Sequence, residues 1–331
     1  MKLLYLSFFL SFILAGLSRA QDIHWSQFND NQLFQNPGHA GHFDGDFRFI
    51  GNYRDQWRSV TVPFSTTAVS VDGKFKNFGW GVNTFNDQAG DGKFRTVEMQ
   101  GNISYAIKLT QDSTHVIRPG VNFGMNHRQI NWDALYFDNQ YNGYVFDPGA
   151  PTNEIYQNSR KTNLSIGAGM IYEWYRNNRF KVLVGAGAYN LNRPNQGFYD
   201  LDIPREIRMN AFLKGTFKLN EKWDVIPSAQ FSTQGVYKEL IIGGSGKYHL
   251  TRKKDIYSAL YGGLWWRNKD AACLSFGYDY KDLFVGISYD INFSKLVPAS
   301  QLRGGIEFAV RYVIRKFNPK RIIHRVCPDY I

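Results

Sequence analysis

The feature that most constrains this chain is a period of two sustained over segments of about ten residues. Leu164, Ile166, Ala168, Met170, Tyr172 and Trp174 fall on one set of alternate positions, and Asn163, Ser165, Gly167, Gly169 and Glu173 on the other. Leu283, Val285, Ile287, Tyr289, Ile291 and Phe293 alternate with Gly286, Ser288, Asp290 and Asn292. Leu274, Phe276, Tyr278 and Tyr280 alternate with Cys273, Ser275, Gly277 and Asp279. Near the start, Phe47, Phe49 and Tyr53 alternate with Arg48, Asn52 and Arg54, and Ile306 to Arg315 ends the series with Glu307, Arg311 and Arg315 opposite an apolar set. Successive side chains of a strand point to opposite faces, so each segment reads as a strand with one greasy and one polar face. No segment sustains the three-to-four spacing of an amphipathic helix.

Expected strands run 45–55, 65–75, 78–86, 94–108, 114–127, 161–175, 179–191, 206–219, 222–233, 236–250, 256–267, 271–280, 283–293 and 304–315. The count is about fourteen, an even number, as an up-and-down barrel needs. Short connectors such as Arg176-Asn177-Asn178 and Asn220-Glu221 suit tight turns, and longer ones sit at 128–160, 192–205 and 294–303.

Two architectures can use this pattern: a soluble β-sandwich with its apolar face inward, or a membrane barrel with its apolar face in lipid. Three features favour the barrel. Many segments are about ten residues long, enough to cross hydrocarbon at a tilt, whereas soluble strands average about five or six. The polar face carries charges at mid-strand, among them Glu98, Arg118, Arg208, Lys214 and Arg311. Aromatics make up 16% of residues and gather near strand ends: Tyr53 and Trp57, Trp174 and Tyr175, Trp265 and Trp266, Tyr278 and Tyr280, the places of interfacial girdles. The expected fold is therefore all-β: a transmembrane antiparallel up-and-down β-barrel of about 14 strands, integral to the outer membrane of a Gram-negative bacterium.

Four regions follow. Residues 1–20 read as a signal peptide: Lys2, an apolar run from Leu3 to Leu17, and Ser18-Arg19-Ala20 before a cut ahead of Gln21. Residues 21–44 form an N-terminal periplasmic or plug segment, 45–316 the barrel, and 317–331 a basic tail on the periplasmic side. Without Lys2 and Arg19 the chain keeps 37 basic and 28 acidic residues. In an exported barrel these cations suit the lumen and anionic headgroups better than nucleic acid. The tail concentrates Lys316, Lys320, Arg321 and Arg325, which read as a docking extension or as a basic stretch lying on the inner leaflet. Of the two cysteines, Cys273 lies in a strand and Cys327 in the tail, and whether they pair stays open.

The sequence carries no G-x-S-x-G, H-E-x-x-H, P-loop or C-x-x-C. His39 and His42 sit close together in a glycine-rich stretch, but no further ligands complete a metal set, and they read as part of an ordinary surface loop. No enzyme activity, catalytic residue, cofactor or metal is expected.

The most specific stretch follows the signal: Asp22-Ile23-His24-Trp25-Ser26-Gln27-Phe28, then Gln32-Leu33-Phe34-Gln35-Asn36-Pro37-Gly38-His39-Ala40-Gly41. It resembles the opening of the PorP/SprF family of outer-membrane proteins of the type IX secretion and gliding machinery, with Gly38 where the family usually has Ala. Tyr53-Arg54-Asp55-Gln56-Trp57 is similar to the family's Tyr-Arg-x-Gln-Trp, and Ser288-Tyr289-Asp290-Ile291-Asn292, Gly304-Gly305-Ile306-Glu307 and Cys327-Pro328 are similar to its closing region. The resemblance implies a non-enzymatic barrel that helps export a secreted surface protein, or anchors it through its C-terminal sorting domain. It also implies periplasmic and outer-membrane secretion components as partners, with outer-membrane lipid around the barrel. On this reading Ser26, Gln27, Phe28, Asn36, Pro37, Tyr53, Arg54, Gln56 and Trp57 are motif residues that fix the N-terminal segment or meet a partner, the former being the preferred role. A diffusion porin or specific channel is the alternative that the barrel pattern alone allows.

Overall fold

The computed structural model describes residues 22–56, 63–90, 93–152, 158–198, 202–253, 256–294 and 297–315. The expected signal peptide, Trp57 and the tail with Lys316, Lys320, Arg321, Arg325 and Cys327 lie outside the described residues.

Fourteen strands build the wall: β1 (Phe47–Gln56), β2 (Phe64–Phe75), β3 (Phe78–Ala89), β4 (Phe94–Tyr105), β5 (His115–Gln129), β6 (Arg160–Asn177), β7 (Phe180–Tyr189), β8 (Arg208–Lys218), β9 (Trp223–Gln234), β10 (Tyr237–Lys253), β11 (Ile256–Arg267), β12 (Ala271–Tyr280), β13 (Leu283–Asn292) and β14 (Arg303–Ile314). Ile107–Lys108 continues β4 beyond Ala106 and pairs with the same neighbour, β5. Every strand is antiparallel to the next in sequence, and β1 pairs with β14 from Phe47 opposite Ile314 to Asp55 opposite Ile306. That last pairing closes the sheet and removes its edges, the condition under which a sheet can stand in hydrocarbon. The expected strand spans and their number are borne out.

The connections are asymmetric. At the end where β1 starts and β14 finishes, here the base, turns such as 76–77, 178–179 and 281–282 are short. The opposite, loop end carries 130–159, 190–207 and 293–302.

The two faces divide as the period dictates. Outward positions hold Phe49, Val69, Met99, Phe123, Leu164, Leu264 and Phe276, all exposed. Inward positions hold Arg48, Asn52, Arg54, Asp72, Glu98, Asn122, Asp290 and Glu307, all buried. Apolar surface out and charge in is the reverse of a soluble protein, and suits a lipid surround. The same period corrects two girdle assignments. Trp265 and Tyr175 follow Leu264 and Trp174, so they turn inward: the Trp265 Nε1 donates to Ser228 Oγ at 3.2 Å, and the Tyr175 hydroxyl donates to Asn178. Of each adjacent aromatic pair only Trp266 and Trp174 face lipid.

Candidate functional site

The lumen is occupied by the chain itself. Asp22 lies at the loop end, where its amide donates to Gln234 Oε1 at 2.8 Å and its carboxylate meets Arg205 at 2.8 Å. The segment then descends, and at the base the Asp46 amide donates to the Ile314 carbonyl at 2.9 Å before β1 begins. Between these points it forms three short helical turns, Phe28–Asp30, Gln32–Gln35 and Pro37–His39. Trp25, Phe28, Leu33 and Phe34 are buried against the wall, with Trp25 and Phe34 packed on Ala68 and Phe85. Each such large side chain contributes about 1.5–3 kcal/mol by leaving water. A cavity lined by residues that include Trp25, Phe28, Phe34, Asn210 and Gln230 measures about 30 Å³, room for a water molecule or two.

An upper clamp grips His24 to Gln27. Glu307 Oε2 and Oε1 accept the backbone N–H groups of Ser26 and Gln27, each at 2.9 Å, and the Gln27 Nε2 donates to the Glu307 carbonyl at 2.9 Å. The Ser26 hydroxyl donates to Asp290 Oδ2 at 2.7 Å and accepts from Arg267 Nη2 at 2.5 Å. Arg54 ties segment and wall together: Nη1 donates to the His24 carbonyl at 2.8 Å and lies 3.6 Å from Glu307, and Nη2 reaches Asp290 at 3.1 Å. Arg267 also faces Glu239 at 3.6 Å and Asp270 at 3.0 Å. With its amide oxygen turned inward, Gln56 accepts from Arg54 Nε and Nη2 at 3.2 and 2.6 Å. Buried charges persist only where partners and hydrogen bonds satisfy them, and here two guanidiniums and the three buried carboxylates of Glu239, Asp290 and Glu307 meet around a backbone turn, with Arg267 Nε and Asp290 Oδ1 making no hydrogen bond among the described residues.

A cradle holds Asn36 to Gly41 lower down. Asn36 Oδ1 accepts from the Gly38 amide at 2.9 Å, with Pro37 opening the turn, a good local fit of Asn at the cap and Pro at the first position. The Asn36 Nδ2 donates outward to the Ala186 carbonyl at 2.8 Å. The wall approaches closely because it lacks side chains there. A Cβ on Gly169 would stand 2.6 Å from Asn36 Oδ1, one on Gly120 2.6 Å from the Gly38 nitrogen, and one on Gly79 on top of the Ala40 carbonyl oxygen. Below, Arg48 pairs with Asp72 through Nε and Nη2, each at 2.8 Å, while the Gly41 amide donates to Asp72 Oδ2 at 2.9 Å. His39 stacks on Phe212 at 5.2 Å, and His42 Nε2 meets Glu173 at 3.1 Å.

At the loop-end mouth, Arg205 bridges Asp22 and Glu98, the latter at 2.8 Å. Burial opposes the ionised Asp22, but Arg205 and Arg208 outweigh it and hold the carboxyl below its usual range. The same two carboxylates raise Arg205 despite its burial.

Ser26, Gln27, Arg54 and Gln56 therefore meet in one clamp, Phe28 packs beside it, and Asn36 and Pro37 form the cradle. Tyr53 does not join them: it lies outward, 37% exposed, where an odd position of β1 meets lipid. Asp72, Arg205, Glu239 and Arg267 take part without having been singled out, and Glu98, marked only as a mid-strand charge, joins them. Period two marks the strand residues among them as inward, but nothing local names partners as distant as Ser26 and Asp290.

Comparison with known proteins gives fold and family separately. The toluene transporter TbuX of Ralstonia pickettii superposes with a TM-score of 0.53 at 11% identity, covering 87% of this chain and 94% of that one. The toluene transporter TodX of Pseudomonas putida gives 0.53 at 11% identity over 88% and 94%, and the monoaromatic hydrocarbon channel CymD 0.53 at 10% over 92% and 96%. At such identities the likeness shows the fold alone, that of an outer-membrane barrel. No match was found among curated proteins. The sequence pattern described as type IX secretion system membrane protein PorP/SprF matches residues 17–312, nearly the whole chain. This outer-membrane barrel belongs to the PorP/SprF family of type IX secretion system membrane proteins.

Proposed function

We propose that the barrel is a closed, non-enzymatic scaffold that helps export a secreted surface protein or anchors it at the cell surface through that protein's C-terminal sorting domain. The observation that carries this reading is the lumen filled from end to end by residues 22–46 and held by the upper clamp. A diffusion porin needs an open conduit, and the buried guanidinium and carboxylate groups around Ser26 and Gln27 oppose one. The family is one of secretion-system membrane proteins and not of enzymes.

The loop-length asymmetry supports an orientation with the base in the periplasm and the long loops outside, as in other outer-membrane barrels. Cargo would then be held by the loop end. The tail residues Lys316, Lys320, Arg321 and Arg325 would meet periplasmic secretion components. Motif residues Ser26, Gln27, Asn36, Arg54 and Gln56 serve to seat the plug, so that partner choice lies elsewhere on the molecule.

The test is affinity purification from native outer membrane in mild detergent, with mass spectrometry of what stays bound. Recovery of a large secreted protein, lost when its C-terminal domain is removed, is the expected result. Recovery of the barrel alone, together with open conductance in planar bilayers, would replace this reading with a channel.

A further inference from the structure

We propose that the outer wall at the loop end, between β3 and β6, holds a phosphate-bearing headgroup of an outer-leaflet lipid. The register aligns one outward row across four neighbouring strands: Gln88 opposite Arg95, Arg95 opposite Gln129, and Gln129 opposite Arg160. The next outward row toward the middle of the wall is Asn86, Val97, His127 and Thr162, followed by Thr84, Met99, Met125 and Leu164, then Val82, Gly101, Phe123 and Ile166. Polarity thus falls to none within about three rungs, each roughly 6.6 Å along a strand. The upper row stands where an apolar belt gives way to headgroups.

A pocket of about 440 Å³ opens on that row, lined by Gln88, Lys93, Arg95, Gln129, Asn131 and Trp132, with Ile130 and Ser159. No carboxylate lines it among the described residues. The Arg95 Nε donates to Asn86 Oδ1 at 2.5 Å, which fixes the plane of the guanidinium beside the pocket. A held guanidinium is the group that grips a phosphate through two N–H donors, and Lys93 and Arg160 add charge on either side. Trp132 at the rim suits the boundary between chains and headgroups. Another sector at the same height differs: its outward row reads Met209, Thr233 and Lys238, with a single cation. Basic recesses beside a lipid belt are where anionic headgroups bind.

The site rests on the proposed outward orientation of the loop end but not on any cargo, so its test can fail while the anchor reading stands. Full-length protein in nonionic detergent is offered diphosphorylated lipid A or its dephosphorylated form, and retained lipid is counted by native mass spectrometry. The wild type is expected to retain the phosphorylated form selectively. K93Q/R95Q/R160Q should lose about tenfold in retention, as expected for the loss of a charge-assisted contact. K218Q/K222Q at the base should retain lipid as the wild type does. Heat-modifiable migration confirms that each variant is a closed barrel. Equal retention of both lipids, unchanged retention by the triple variant, or displacement by inorganic phosphate at equal concentration would overturn the proposal.

Discussion

The upper clamp and the lower cradle hold the same segment by opposite means. Around Ser26 and Gln27 the wall contributes charge: Arg54, Arg267, Asp290 and Glu307 are all buried and are satisfied only as a set. Around Asn36 to Ala40 the wall contributes mainly absence: Gly79, Gly120 and Gly169 leave room for backbone, and the links are the Asn36 amide to the Ala186 carbonyl, the Ser104 hydroxyl to the Ala40 carbonyl and Arg48 to the His39 carbonyl. The clamp is therefore sensitive to the loss of any one charge, and the cradle to the gain of any one methyl. Together they place the plug in register. Both Glu307 oxygens on consecutive amides and three Cβ-free contacts accept the segment at one height only.

The largest effect should come from breaking the charge set. Arg54→Ala leaves Asp290 and Glu307 buried beside one another, and losing one partner of such a set costs about 3–5 kcal/mol. Denaturant unfolding in micelles should show the drop, and protease should then reach the segment around Trp25. A cost below that of an exposed ion pair would mean the clamp is ornamental. Gly79→Ala tests the cradle: overpacking of this kind costs about 1–3 kcal/mol. It should free the lower part of the segment, while restoring charge elsewhere gives no relief.

Acid should weaken the mouth next. The folded Asp22 carboxyl is held below its ordinary value, so the unfolded chain binds the proton more readily. That stability is present above the unfolded value of about 3.9 and is lost as pH falls through the folded one. Unfolding midpoints between pH 5 and pH 3 should fall more steeply for the wild type than for Asp22→Asn. Equal slopes would remove Asp22 from the account. The smallest effect is expected at Tyr53→Phe, within about 0.5 kcal/mol, because its ring lies in lipid beside the clamp rather than in it.

The wall was legible in the sequence because lipid on one side and a wet lumen on the other impose a strict period. The spans 256–267 and 271–280 coincide with β11 and β12, and Glu307 and Arg311 fall on the inward face. Adjacent aromatics misled, since a girdle count ignores that Trp265 and Trp266 cannot share a face. The site was legible only in part. Ser26, Gln27, Asn36 and Arg54 stand out as a motif, but their partners lie up to 281 residues away, and only barrel closure brings Glu307 beside Ser26. The wall glycines look like generic small lumen residues until the segment they face is in place.

Residues 22–46 close the lumen. Single-channel recording in planar bilayers tests this closure most directly, comparing the full chain with a variant lacking 22–41. The wild type should show no steady conductance and the deletion an open, weakly selective pore. A wild-type barrel that conducts as freely as the deletion would contradict closure.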